Sequence, residues 1–442
     1  MYENLSFREI TDGTYYDEFI RQNGGSIIQT YRWTTIKTAW TTRMFMGFSG
    51  EEPIIAALCM ERAIRPLGKL WYLTEGFITK TAEEHVIKGM TAFLKTQMKK
   101  YGAFGICTDP MIVIDVDREA QAPSELLDAM KKAGFVPEKD PRHYTVRPCV
   151  DIVVPVGGKS EEELLAACEK GVRHGYRTGI EGGIRIEVFD GDRLDEHPEA
   201  LDTFFDVITE TADRVEFVHR PKEYYATILR AVGKDGQIML LSFDRDLSDA
   251  RRKEQAEEIA RLQAEIEAVL PQKGGKQAAA VLKKQVAALE KSLRTNQKAE
   301  DEIIAAGVSD RKIYLAAGIT TYFGKESICQ YGGTKNLLRN TLRPTHVLNV
   351  ERLLESRRRG CEKHSMGRVA GDPYDETQSY YGLVAYKKSY GGRITTYPGD
   401  MYLKSGTGLK LYTFTTLFPK IRHFRSRFLR RRLNKQNTEG ER

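Results

Sequence analysis

The sequence predicts an α/β or α+β protein with two or more domains, and three observations support this class. The chain has 442 residues, which is more than one domain usually contains. Strand-like segments rich in aromatic and β-branched residues alternate with amphipathic helical segments along most of its length. Residues 247–307 contain no aromatic residue and carry a helical apolar spacing, which indicates an inserted arm.

Residues 1–150 are predicted to form the first domain. The segments "TTRMFMGFS" and "PIIAALCMER" have the composition of strands. A helix follows in which Val86, Met90 and Leu94 share one apolar face, and Gly102 ends it. The segment "AFGICTDP" is then a strand that closes at Asp109.

Residues 151–246 and 307–408 are predicted to form a second domain. Its strands and helices follow an order that resembles the first half, so the fold could be duplicated, although no clean sequence repeat supports this. Near its end, "GLVAYKKSYGG" has the composition of a strand. Because side chains alternate along a strand, we expect Lys387 and Lys388 on opposite faces, with only one of them facing a cleft.

The arm, residues 247–306, is predicted to be an antiparallel coiled-coil hairpin. Apolar residues recur at spacings of three and four on both sides of the turn "PQKGGK", as with Leu262 and Ile266 and then Val286 and Leu289. The hairpin could be a solvated arm with a narrow apolar seam, or an arm that binds RNA or dimerises. Charges of both signs are interspersed, which favours the solvated arm.

The C-terminal segment, residues 409–442, is predicted to be a basic amphipathic helix. Residues 420–435 hold eight Lys or Arg and no acid, a pattern typical of contact with an anionic membrane or another polyanion. The alternative is a helix docked on the core with a basic tail. The chain start has no secretory signal and no apolar run is long enough to span a bilayer, so we expect a cytoplasmic protein with peripheral membrane contact at most.

Several common chemistries lack their signatures in this sequence. No P-loop, dinucleotide-binding glycine motif, serine-hydrolase elbow or HExxH motif occurs, and the six cysteines are dispersed. We therefore expect no metal and no cofactor, and either transfer or binding chemistry built from dispersed residues. Trp33 and Lys37 are predicted to share a face of one short helix, and Arg220 and Tyr224 to share one helical turn near its anion-binding N-terminus.

Taken together, the dispersed motifs resemble the Fem family of peptidoglycan bridge-forming aminoacyltransferases. "SIIQTYRWTTIKTAW" is similar to the family's Gln-x-x-x-Trp-x-x-x-Lys segment, and "TETADRVEFVHRPKEYY" to its Thr-x-x-Arg…Phe…Arg-x-x-x-Tyr pair. "QYGGTKN" resembles Tyr-Gly-Gly-Ser, with Thr334 in place of Ser. "GLVAYKKSYGG" resembles Gly-Leu-x-x-Phe-Lys-x-x-Phe-Gly, with tyrosines in place of both phenylalanines. The arm lies between the second and third motifs, as in longer family members.

This resemblance implies two N-acetyltransferase-like domains and transfer of Gly, Ala or Ser from an aminoacyl-tRNA. The acceptor is an amine on the stem peptide of a lipid-linked or UDP-linked peptidoglycan precursor. By the motifs, Lys37, Arg220 and Tyr224 hold the diphosphate and sugar of the precursor, and Tyr331 lines the same cleft. Lys387 lies near the tRNA 3′ end and neutralises a phosphate or the developing oxyanion, which leaves Lys388 solvated.

The resemblance also makes Asp109 a candidate to orient or deprotonate the acceptor amine, although a carboxylate before a proline is often a turn residue. Two other functions stay open from the sequence. One is a non-catalytic scaffold for RNA or a membrane surface, and the other is an acyl-CoA-dependent N-acetyltransferase. The sequence does not decide the transferred amino acid or the oligomeric state.

Overall fold

The chain forms two compact units in a computed structural model that describes residues 2–139, 147–215, 217–272, 275–406 and 408–415. Unit 1 contains the described residues up to Asp151, together with Arg368–Tyr381 and those from Ile394 on. Unit 2 contains Ile152–Gly367 and Gly382–Arg393.

The helices and strands cover most of both units. The strands are β1 (Leu5–Ile10), β2 (Thr41–Ser49), β3 (Glu52–Ile64), β4 (Gly68–Leu73), β5 (Ile78–Thr79), β6 (Ala103–Thr108), β7 (Asp115–Val116), β8 (Glu119–Ala120), β9 (Val136–Pro137), β10 (Val150–Pro155), β11 (Ile184–Asp190), β12 (Gly236–Asp244), β13 (Lys312–Phe323), β14 (Glu326–Thr334), β15 (Lys363–Val369), β16 (Arg393–Thr396) and β17 (Met401–Lys404). The helices are α1 (Gly13–Gln22), α2 (Tyr31–Thr34), α3 (Glu84–Tyr101), α4 (Glu125–Lys132), α5 (Glu161–Ala167), α6 (Lys170–Glu181), α7 (Pro198–Val215), α8 (Lys222–Val232), α9 (Arg245–Val269), α10 (Gly275–Ala305), α11 (Pro344–Arg358) and α12 (Tyr381–Lys388). This order confirms the mixed α/β class.

Unit 1 is built on a sheet of order β1-β2-β3-β4-β6-β17-β9, in which β5 also pairs with β3. Neighbours are antiparallel except for β4 and β6, which run parallel. The predicted apolar face of α3 covers the sheet, and Met90 and Leu94 are fully buried against the stacked rings of Phe45 and Trp71. Because β17 pairs with β6, the chain returns to unit 1 near its end instead of continuing the second domain to residue 408 as expected.

Unit 2 has a similar plan, with strands in the order β11-β12-β13-β14-β15-β10. Strands β11 to β14 are antiparallel, and β14 then runs parallel to β15. Helix α11 connects this parallel pair and packs on α6 and β13. An antiparallel series that ends in a parallel pair bridged by a helix is the N-acetyltransferase-like arrangement that the family resemblance implied.

Helices α9 and α10 form the predicted antiparallel hairpin within unit 2. Its seam buries Leu262, Ile266 and Val286. Charged contacts hold the base of the hairpin, where Arg245 pairs with Glu300. The apolar residues spaced three and four apart on each helix therefore pack against the other helix, as expected.

The segment "GLVAYKKSYGG" was wrongly predicted as a strand, because residues 381–388 form helix α12. Its aromatic residues pack four apart, with the rings of Tyr386 and Tyr390 at 5.3 Å and Val384 buried. Tertiary packing therefore overrides the β propensity of these residues. Lys387 and Lys388 are consecutive helical residues, so the alternation of a strand does not separate them.

The structure also bears on the predictions for Lys37 and for the C-terminal segment. Helix α2 ends at Thr34, and Lys37 lies in a following turn in which its N–H donates to the Thr34 carbonyl at 2.9 Å. Trp33 and Lys37 therefore do not share one helix. In the C-terminal segment residues 409–415 are helical, and Leu411 is buried against Leu70 and Phe104. The basic run from 420 to 435 lies outside the described residues.

Candidate active site

Helix α12 places Lys387 where strands β14 and β15 stop pairing. The parallel register holds three pairs, of which the last is Ile328 with Ser365. Two residues further on, the Gly367 carbonyl accepts a hydrogen bond from Lys387 Nζ at 2.6 Å. A Cβ at Gly367 would lie 3.4 Å from that Nζ and 3.8 Å from the Cys329 carbonyl. The ammonium, Gly367 and Cys329 therefore lie together at this opening of the sheet.

A network of hydroxyl groups fixes α12 on α11. The Tyr390 hydroxyl donates to the Tyr386 hydroxyl at 3.1 Å, and Asn349 Nδ2 donates to Tyr386 at 2.6 Å. His346 Nδ1 lies 2.8 Å from the Tyr390 hydroxyl. Burial raises the pKa of Tyr390 to about 12 and that of Tyr386 well above its ordinary value, so both stay neutral donors. The backbone that carries Lys387 is thus held on both sides of the lysine.

Arg352 lies buried beneath the same opening, and sequence reasoning missed it. Its Nη2 donates to the Tyr331 carbonyl, and its Nη1 lies 3.0 Å from Cys329 Sγ and 3.2 Å from Asn349 Oδ1. A Cβ at Gly318 would lie 1.7 Å from Nη2, so the absence of a side chain at Gly318 leaves space for the Arg352 guanidinium. None of the three partners of Arg352 named above is a carboxylate. Arg352 therefore adds a buried positive charge beneath this opening of the sheet.

Three of the predicted site residues, Arg220, Tyr224 and Tyr331, meet in unit 2 near the start of α8. The Arg220 guanidinium lies 5.4 Å from the centre of the Tyr224 ring. Tyr225 connects them to Tyr331, with ring centres 4.9 Å apart and its hydroxyl accepting from the Arg220 N–H at 3.1 Å. Burial, and then the neighbouring Tyr224, raise the pKa of Tyr331. Pro221 is the N-cap of α8, so Arg220 precedes the helix by two residues and does not share a helical turn with Tyr224 as predicted.

Asp109 ends β6 in unit 1 and is almost completely buried. Its Oδ1 accepts from the Tyr72 hydroxyl at 2.6 Å and from the Glu75 N–H at 3.2 Å. Its Oδ2 accepts from Arg147 Nη2 at 2.7 Å and lies 3.3 Å from Arg368 Nη1. Both oxygens are therefore occupied by donors from the protein.

Glu75 completes this group with a second buried carboxylate. It lies 2.7 Å from Arg147 and accepts from the Ser26 hydroxyl, and its backbone has a left-handed φ of 56°. Burial acts to raise the pKa of Glu75, but the charges of Arg147 and Arg368 outweigh it and hold that pKa below its ordinary value. Two carboxylates thus face two guanidinium groups at the end of the β4–β6 pair.

The parallel pairs of the two units therefore differ. In unit 1, β4 and β6 pair from Lys69 and Ala103 to Leu73 and Thr108, and the buried charges close their end. In unit 2 the pairing stops early and leaves a lysine at the gap. An opening at the carboxyl ends of strands, where the sheet changes direction, is a usual place for a ligand. Within the described residues, the parallel pair of unit 2 has such an opening and that of unit 1 does not.

The remaining predicted residue, Lys37, lies in unit 1. It follows the buried Ile36 in the turn after α2 and is half-buried. The segment before it is fixed to the end of β4, since Gln29 Nε2 donates to the Thr74 carbonyl at 3.3 Å. Gln29 of the predicted motif therefore serves the packing of unit 1. Lys37 and Asp109 belong to this unit, whereas Arg220, Tyr224, Tyr331 and Lys387 belong to unit 2.

Two kinds of feature are absent from the described ranges. No group of three or more His, Cys, Asp or Glu side chains in this part of the chain is arranged to hold a metal ion. No helix within the described residues is both long enough and apolar enough to cross a membrane.

Comparison with known proteins identifies the family. A family model described as the FemAB family matches residues 11–417. The lipid II:glycine glycyltransferase of Staphylococcus aureus (strain MRSA252) is 25% identical over 398 residues, which cover 87% of this chain and 90% of that protein. The crystal structure of FemX superposes with a TM-score of 0.74 at 22% identity, covering 92% of this chain and 99% of that one, and shows the same fold. The chain therefore belongs to the FemAB family, as the sequence motifs predicted.

Proposed function

We propose that this protein transfers an aminoacyl group from aminoacyl-tRNA to the stem-peptide amine of a peptidoglycan precursor and so builds an interpeptide bridge. The observation that carries the proposal is Lys387, held on the Gly367 carbonyl at the opening of an acyltransferase-like sheet. The relative named lipid II:glycine glycyltransferase supports a precursor of this kind and glycine as the first amino acid to test.

The chemistry requires positioning more than activation. The donor is an ester, so the acceptor amine forms the new N–C bond, the ester C–O bond breaks, and a proton leaves the amine while the tRNA hydroxyl regains one. Negative charge develops on the carbonyl oxygen during this step, and a fixed ammonium in an electropositive opening stabilises it. We assign this role to Lys387, with Arg352 adding positive charge beneath it.

The acceptor is held by its phosphates in this proposal. Arg220 and Tyr224 bind the diphosphate and the attached sugar, and Tyr331 lines the same surface. Lys37 is proposed as a further phosphate-binding residue because the family motif implies this role. A guanidinium suits this task because it binds phosphate through paired N–H donors. We propose that Asp109 acts by ordering Arg147 and Arg368 near the acceptor, since both of its oxygens are already occupied.

The proposed place of action is the cytoplasmic side of the cell membrane. The basic segment within 409–442 would contact anionic lipid there, and the arm at 247–306 would stay solvated unless it binds the tRNA. We also propose that the two units correspond to the two domains expected from residues 1–150 and from residues 151–246 with 307–408, apart from the return of β17.

A transfer assay tests the proposal. The full chain is incubated with tRNAs charged with Gly, Ala or Ser and with lipid-linked or UDP-linked precursor, and the product is read by mass spectrometry. We expect one added residue on the stem peptide with at least one donor. No transfer with any donor, together with tight binding of acetyl-CoA in calorimetry, would replace this function with acyl-CoA-dependent acetylation.

A further inference from the structure

The last residue of α7 and the loop that leads to α8 present three apolar side chains to solvent. Val215 is 58% exposed, Phe217 41% and Val218 98%. We call these three residues the tip patch. Single exposed apolar residues are common, but several large ones in one short loop indicate a contact surface.

The loop is fixed by contacts within unit 2. The Phe217 N–H donates to the Ala212 carbonyl at 3.2 Å, and the Arg220 N–H donates to the Tyr225 hydroxyl at 3.1 Å. Between them the His219 ring packs on Phe205, with ring centres 5.2 Å apart. The inward packing of His219 therefore turns Val218 outward.

The tip patch adjoins the residue that we assign to the diphosphate. Consecutive Cα atoms are about 3.8 Å apart, so the Cα atoms of Val218 and Arg220 lie within about 7.6 Å of each other. The atoms attached to a phosphate on Arg220 would thus lie within reach of Val218 and Phe217. What a precursor carries at this place is either a nucleoside or a hydrocarbon chain.

The chemistry of the tip patch selects between these two. Two valines and a phenylalanine offer no donor or acceptor for a ribose or a base, whereas they can remove a hydrocarbon chain from water. The nearby surface charges are mixed, with exposed Asp213 and Glu223 beside His219 and Arg220, and with Lys222 paired to Asp202. Among the described residues here, Asp213 and Glu223 offset Arg220 and the half-buried Arg214, so we favour the hydrocarbon chain over an anionic bilayer surface.

We propose that the tip patch binds the hydrocarbon chain next to the diphosphate of a lipid-linked acceptor, and so selects this acceptor over the nucleotide-linked one. This inference rests on the proposed function, because it takes Arg220 as the residue that holds the diphosphate.

Calorimetry with farnesyl diphosphate and with inorganic diphosphate tests the contact without requiring catalysis. We expect the wild type to bind farnesyl diphosphate about tenfold more tightly, as burial of one to two apolar side chains predicts. The double variant Phe217→Ser/Val218→Ser should bind both compounds equally. Val281→Ser is the matched control, because Val281 is 57% exposed on α10, and it should behave as the wild type. A double variant that keeps the preference would overturn the inference.

Two further experiments distinguish a failure of this inference from a failure of the proposed function. Arg220→Met should weaken binding of both compounds, and an unchanged affinity for diphosphate would remove the proposed diphosphate site itself. In the transfer assay, the double variant should raise KM about tenfold for a lipid-linked acceptor and leave KM for the UDP-linked acceptor unchanged. An equal rise for both acceptors would overturn chain recognition. If KM rose only for acceptors in vesicles and not for a soluble short-chain acceptor, the tip patch would contact the bilayer. That result would also overturn chain recognition.

Discussion

The ammonium of Lys387 lies 2.6 Å from the Gly367 carbonyl oxygen, just beyond the last paired residues of β14 and β15. The contact depends on α12 being a helix, since the Tyr386–Tyr390 pair, four residues apart, fixes that helix on Asn349 and His346. Lys388 points about 100° away around the same helix. The two lysines are therefore distinguished by position around a helix and not by the two faces of a strand.

Replacing Lys387 should remove most of the transfer activity. We expect Lys387→Met to lower kcat about a hundredfold or more, because a lost electrostatic contact to a developing oxyanion has this size. Lys388→Met is the neighbouring control and should stay within about threefold of the wild type. Single-turnover rates with charged tRNA measure both. Equal losses in the two variants would contradict a specific role for Lys387.

Replacing Arg220 should weaken acceptor binding and leave the donor unaffected. We expect Arg220→Met to raise KM for the precursor about tenfold to a hundredfold, since a charged hydrogen bond contributes about 1.5–3 kcal/mol. Arg230→Met is the matched control on α8, where Arg230 pairs with the exposed Asp195. Steady-state kinetics with each substrate varied in turn distinguishes the two effects. A rise in the donor KM instead would move Arg220 to the tRNA side.

Replacing Asp109 should lower the stability of the folded protein, and any effect on transfer should follow from that loss. Asp109→Asn keeps an acceptor for Tyr72 but turns an amide toward Arg147 and Arg368, which leaves buried positive charge poorly paired. Removing one partner of a buried ion pair costs about 3–5 kcal/mol. Denaturant unfolding measures this loss, with the exposed Asp128→Asn as control. Unchanged stability with abolished transfer would instead support Asp109 as the base for the acceptor amine.

The sequence predicted the overall fold better than it predicted the local structure around Lys387. Long periodic elements such as α3 and the α9–α10 hairpin were recognisable because their apolar spacing needs only one partner surface. Helix α12 was not, since its eight residues include tyrosines and a valine that favour strands, and only their packing against α11 makes them helical. Local propensity is weak evidence in so short a segment.

The buried charges could not be predicted for a different reason. Arg147, Arg368 and Glu75 are far apart in the sequence, and no motif or spacing connects them to Asp109. Arg352 left one trace in the sequence, because it stands among the apolar residues Val350, Leu353 and Leu354, all of which are buried in α11. An arginine within such a helix has to be buried, and the glycines of β13 and β14 are what accommodate it. The packing of β13 and β14 against α11 shows this accommodation, and the sequence alone does not reveal that packing.

The last prediction concerns His364, which makes the stability of the protein depend on pH. His364 is fully buried on β15, with Nδ1 2.9 Å from the Ser327 hydroxyl and Nε2 without a partner among the described residues. Burial, and then the charge of Arg352, lower its pKa from 6.5 to about 3. Between these values the unfolded chain binds a proton that the folded chain does not, so stability falls as the pH is lowered through this window. The contribution of His364 is constant above pH 6.5.

The slope that one such group adds is at most about 1.4 kcal/mol per pH unit. We expect the free energy of unfolding of the wild type to decrease from pH 6.5 toward pH 4, and His364→Asn to be less stable at pH 7 but to show a shallower decrease. The exposed His174→Asn is the control and should keep the wild-type slope. Denaturant unfolding at each pH measures all three. Parallel curves for the wild type and His364→Asn would contradict the assignment, because a purely structural loss lowers stability equally at every pH.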